Sequence, residues 1–124
     1  MKITMNKWTT VESIQNEFRS CFPALKLEFF VCKQSLESAY TDSNKLQPEY
    51  VFAFENDDFL DDGIEINSSD KVIEVEERFY EKYGLCAQIF FKSNNKWIQS
   101  VKSDHYSLLR LERELGFLEY PLLL

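Results

Sequence analysis

The chain has 124 residues, 44% hydrophobic and 28% charged, the composition of one soluble domain able to bury a core without metals or disulfides. Its formal net charge is −7, from 21 acidic against 14 basic residues, which argues against nucleic acid and anionic membranes, both held by Lys and Arg. No apolar run approaches the ~20 residues of a membrane span, and the opening MKITMNKWTT carries no apolar signal core.

In chain order, Ile3 and Met5 alternate with polar neighbours and predict a short strand with one buried face. Val11, Ile14, Phe18 and Phe22 then follow at helical steps and form one stripe. Thr9 and Glu12 have capping-box spacing at its start, and Pro23 ends the run by removing a donor. Leu25, Leu27 and Phe29 alternate again and predict a second strand. Residues 33–62 are irregular: QSLESAYTDSNKLQPE reads as a mobile loop, and YVFAF offers an edge strand.

From residue 63 the pattern returns. Ile64 and Ile66 repeat Ile3 and Met5, and Val72, Val75, Phe79 and Tyr83 repeat the helical stripe, each 61 positions on. Asp70 takes the N-cap place, and Gly84 allows the left-handed turn that ends the helix. Leu85, Ala87 and Ile89 repeat the second strand, now 60 positions on. Asn94-Asn95 then predicts a tight hairpin turn, because Asn tolerates positive φ. A third helix follows, capped by Asp104 or Ser107, striped by Leu108, Leu111 and Leu115, and closed by Gly116.

Two strand–helix–strand units in series give βαββαβ. The expected fold is therefore α+β, a two-layer, ferredoxin-like sheet with an added hairpin strand and C-terminal helix; a ubiquitin-like β-grasp is the alternative. One domain is expected over 1–124: a first βαβ unit at 1–32, an insertion at 33–62, a second unit with hairpin at 63–101, and a helix with an apolar tail at 104–124.

The stretches IQNEFRSCFPALKLEFF, KVIEVEERFYEKYGLCAQIFFKSNNKWIQ and SDHYSLLRLE together resemble an uncharacterised family of small bacterial proteins. Its members carry a similar helix leading into K-L-E-F-F, and a T-V-x-x-L-E-x-x-F helix leading into Y-G-L-x-V-Q-V-F-x-K-S. Asn94-Asn95 stands where the family has a Gly turn, and His105-Tyr106 where it has Asp-Trp. The resemblance implies a compact α+β domain and no particular activity.

Motifs that carry chemistry are few. Glu55, Asp57, Asp58, Asp61 and Asp62 gather five carboxylates, but aligning Gly63 with the invariant EF-hand glycine leaves Ser69 where the bidentate Glu belongs. A solvated acidic loop is the plainer reading, with weak cation binding the other. Three glycines, at 63, 84 and 116, leave no phosphate-binding loop, and no zinc spacing occurs. Asp104, His105 and Ser107 are too close in sequence for a triad and read as caps, although a pocket around His105 would suit a small-ligand binder or small enzyme. No catalytic residue and no cofactor is assigned. Cys21, Cys32 and Cys86 are an odd number without CxxC spacing, which points to reduced thiols and a cytoplasmic setting.

The reverse sheet face is more telling. If Leu27, Phe29, Ala87 and Ile89 face the helices, Phe30 and Phe90 face away, and Trp97 joins them across the hairpin. The tail adds Phe117, Leu118, Leu122, Leu123 and Leu124. The expected function is thus a non-catalytic interaction domain that binds protein, in the first place a second copy of itself.

Overall fold

A computed structural model describes residues 1–32, 42–52, 63–100 and 104–116. The elements are β1 (Lys2–Ile3), α1 (Val11–Cys21), β2 (Leu25–Phe30), β3 (Ile64–Glu65), α2 (Val72–Tyr83), β4 (Cys86–Ser93), β5 (Lys96–Gln99) and α3 (Leu108–Leu111), which runs on into a π-helical turn at Glu112–Gly116. The class is α+β. The strands form two antiparallel ladders, β1–β3 and β2–β4–β5.

This pairing departs from the expected ferredoxin-like order, in which the second and fourth strands lie on opposite edges of one sheet. Here they are neighbours. The sequence repeat explains why. Ile3 pairs with Ile64 and Glu28 with Gln88, so repeat-equivalent residues stand directly opposite one another at the middle of each interface. Each half gives one strand to each of the pairings β1–β3 and β2–β4, around an approximate two-fold relation, and the second half adds β5 beyond β4.

The stripes read from the sequence form the core. Val11, Ile14 and Phe18 from α1 and Val72, Val75 and Phe79 from α2 bury against Leu25, Leu27, Phe29, Ala87 and Ile89, with Leu108 and Leu111 from α3. Phe29 is the centre: its ring makes edge contacts with Phe52 and Phe79, each at 5.3 Å between centroids, the geometry aromatic quadrupoles prefer. Gly63, at φ +78°, lets β3 approach β1; a Cβ there would stand 2.6 Å from the Ile3 carbonyl oxygen.

The caps differ in detail from those expected. Thr10, not Thr9, caps α1, exchanging bonds with Ser13. Thr9 instead accepts from Asn6 N–H at 2.8 Å, and Asp70, its repeat equivalent, accepts from Asn67 N–H at 2.8 Å while Lys71 occupies the α2 cap position. Both residues close the loop before the helix, one step earlier than a cap. Ser107 caps α3 by accepting from Arg110 N–H. Asn94 and Asn95 adopt φ of 51° and 61°, the expected hairpin turn.

Residues 42–52 of the insertion hold more order than their composition predicts. Lys45 bridges Phe30, and Leu46 N–H donates to Phe29 C=O at 2.8 Å, so this segment lines the edge of β2 as β5 lines that of β4. Further on, Tyr50 and Pro48 carbonyls accept from Val11 and Glu12 N–H, satisfying the first turn of α1. Tyr106 and Asp104 carbonyls do the same for Val72 and Ile73 of α2. The repeat therefore includes a closing segment, with Phe52 and Leu108 as its buried anchors.

Candidate functional site

β2, β4 and β5 set the outer sheet face. Their alternation brings Lys26, Glu28 and Phe30 beside Cys86, Gln88 and Phe90, with Lys92 opposite Trp97 on the hairpin. The face is uneven. Phe30, expected to be part of an exposed aromatic surface, is only 4% exposed and drops out as a contact residue. Its backbone is bridged by Lys45, and the adjoining residues 44–46 pack along its strand edge. Phe90 and Trp97 remain half-buried. Trp97 is held by charge: Lys26 Nζ lies 5.1 Å and Arg19 Cζ 5.4 Å from its ring centre, a cation–π arrangement. Lys26 also pairs with the buried Glu28 at 2.8 Å. Phe117, Leu118, Leu122, Leu123 and Leu124 lie outside the described residues, as do Glu55, Asp57, Asp58, Asp61 and Asp62.

At the far end of the same face, Cys32 and Cys86 form a disulfide with Cα atoms 5.4 Å apart. This corrects the expectation of three reduced thiols, and with it the cysteine argument for a reducing compartment. Pairing of Phe30 with Cys86 brings the chain just after β2 against the start of β4, a proximity that cysteine spacing alone does not reveal. Cys21 is free and exposed.

His105 stands at the surface. Its side chain is 65% exposed, with Asp104 at 4.0 Å and the Tyr106 ring packed edge-on. A groove of about 460 Å³ lies elsewhere, between β3 and α2, lined by Gly63, Glu65, Asn67, Arg78, Glu81 and Lys82. Its cations serve the fold. Arg78 grips both Asp70 carboxylate oxygens, at 2.6 and 3.2 Å, and donates to Glu65 C=O; Lys82 donates to Gly63 C=O at 3.0 Å. The Arg78 guanidinium holds the Asp70 carboxyl below its usual range. Among the described residues no group of three or more His, Cys, Asp or Glu side chains could hold a metal ion, and no helix is long and apolar enough to cross a membrane.

Besides Glu28, two buried carboxylates escaped the sequence reading. Glu76 lies on the core stripe of α2 and accepts from Ile89 N–H at 2.8 Å, just where β5 stops short; burial pushes its pKa up to about 8. Glu112 accepts from Ala24 N–H at 2.9 Å, and burial raises its pKa too. Both satisfy strand or turn backbone rather than facing a cleft. A visible signal existed for Glu76, since it falls between Val75 and Phe79 in the helical stripe, and its counterpart Gln15 likewise binds a strand, donating to Leu27 C=O at 2.8 Å.

No protein-family model, curated protein or solved structure matches this chain.

Proposed function

We propose that this chain is a non-catalytic protein-interaction domain whose contact is made at the hairpin end of the outer sheet face, around Phe90 and Trp97. The observation that carries the reading is Trp97 itself. It stands half-buried on the face opposite the helical core, braced by Arg19 and Lys26. Tryptophan and arginine are the side chains that most often dominate protein contacts. Self-association is one form of this reading, and membership of the small α+β family named above is compatible with it.

The test compares the full chain with a Trp97→Ala variant of unchanged circular dichroism. Sedimentation velocity reads self-association, and affinity capture from extract of the source cells reads other partners. A dimer or a captured protein that disappears in the variant supports the reading. Monomers throughout, with identical captured material, contradict it.

A further inference from the structure

The ladder geometry shows which way β5 is open. Ile89 accepts from Ser100 N–H at 2.9 Å and donates to Glu76 at 2.8 Å, whereas Lys92 N–H points the other way, to Ala24 C=O at 3.0 Å. Main-chain direction alternates along a strand. Phe91 and Ser93 therefore face β5, where they pair with Ile98 and Lys96. The N–H and C=O groups of Trp97 and Gln99 are turned outward, and β5 is the edge of its ladder among the described residues. An open edge of this kind is a template for a further strand.

Its surroundings select the strand. Arg19 and Lys26 reach the Trp97 ring, Lys92 stands opposite it, and Lys96 precedes it. Lys26 has Glu28 for a partner. Arg19, Lys92 and Lys96 have no carboxylate partner among the described residues. In a chain of net charge −7, Arg19 of α1 and Lys92 of the central strand β4 thus surround Trp97, and Lys96 stands on β5 itself.

We infer that the open edge of β5 receives an extended, acidic segment of a partner protein as an added strand; this rests on the interaction-domain reading above and names its partner. The segment's main chain completes the hydrogen bonding of Trp97 and Gln99, its carboxylates meet Arg19 and Lys92 on the Trp97 face, Lys96 adds its charge at the turn, and an apolar side chain on the opposite face covers Ile98, which is 43% exposed. A second copy of β5 fits less well, because it sets the same cations near one another, and lysines on an edge discourage such pairing. Single-stranded nucleic acid fits less well too. Its backbone has no N–H donors to answer the strand carbonyls, and the net charge repels a polyanion.

The experiment titrates the full chain with a short labelled peptide of alternating glutamate and valine and follows anisotropy at low and high salt. Parallel titrations use the same peptide with alternate amides N-methylated, the peptide with lysine for glutamate, and a labelled oligothymidylate. The proposal expects the acidic peptide to bind, to weaken with salt, and to lose roughly tenfold or more in affinity for a Lys92→Glu/Lys96→Glu variant. It also expects no binding of the N-methylated or lysine peptides, and slower amide exchange at Trp97 and Gln99 in the complex. Equal affinity for the variant or the N-methylated peptide, preference for the oligonucleotide, or no binding at all overturns it. Should a partner lost from Trp97→Ala be captured while the acidic peptide fails to bind, the interaction-domain reading stands and the acidic strand falls.

Discussion

Glu76 is 8% exposed, yet it accepts a strand N–H from within the core. Its folded pKa of about 8, against an ordinary 4.5, means that the folded chain holds the proton more tightly than the unfolded one. The stability this contributes is complete below the ordinary carboxylate range and is lost as pH rises toward 8. At one unit per 1.36 kcal/mol the loss is at most about 5 kcal/mol. Glu76→Gln keeps the acceptor and removes the ionisation, so its melting temperature should fall less between pH 5 and 8 than that of the parent chain, Glu112 accounting for the remainder. Parallel curves would show that Glu76 does not titrate in the core. Asp70 behaves in the opposite sense: its carboxyl is depressed, so the stability from its pairing with Arg78 is present above the ordinary Asp range and is lost as pH falls below it. Asp70→Asn should cost about 1–2 kcal/mol at neutral pH and much less in acid, as denaturant melts at the two pH values would show.

The helices were legible from their stripes, and the hairpin from Asn94-Asn95, because burial and turn chemistry leave period and residue type in the sequence. Hydrogen bonds between distant segments leave no such mark. That is why the closing segments were missed, although Tyr50 and Tyr106 recur with Phe52 and Leu108 two residues on. If those segments are structural, Phe52→Ala and Leu108→Ala should each destabilise by about 2–5 kcal/mol, like other large-to-small changes in a core. Denaturant melts check both, and a loss near zero for Phe52 would return the insertion to plain loop. The Cys32–Cys86 bond joins residues 54 apart in sequence. Cross-links of such span stabilise by about 2–4 kcal/mol, so Cys32→Ser should melt earlier than the oxidised chain and show no response to reductant.

For the whole molecule, the repeat in the sequence announced two equivalent units but not how they meet. Equivalent strands could lie apart in one sheet or pair with each other, and the apolar alternation of Leu27 and Ile89 is the same in both arrangements. The structure chooses pairing, which among the described residues puts β5, with Trp97 on it, at an edge. The site was legible in part: the hairpin placed Trp97 correctly, while Arg19 and Lys26 reach it only through tertiary packing. Everything proposed for the edge depends on the β2–β4 register. Leu25–Phe91, Leu27–Ile89 and Phe29–Ala87 are its non-hydrogen-bonded pairs, whose α-protons face each other across the ladder. Nuclear Overhauser spectroscopy should therefore record strong Hα–Hα contacts for these three pairs; contacts shifted by one residue, or their absence alongside contacts from β2 to β3, would contradict the interlocked fold.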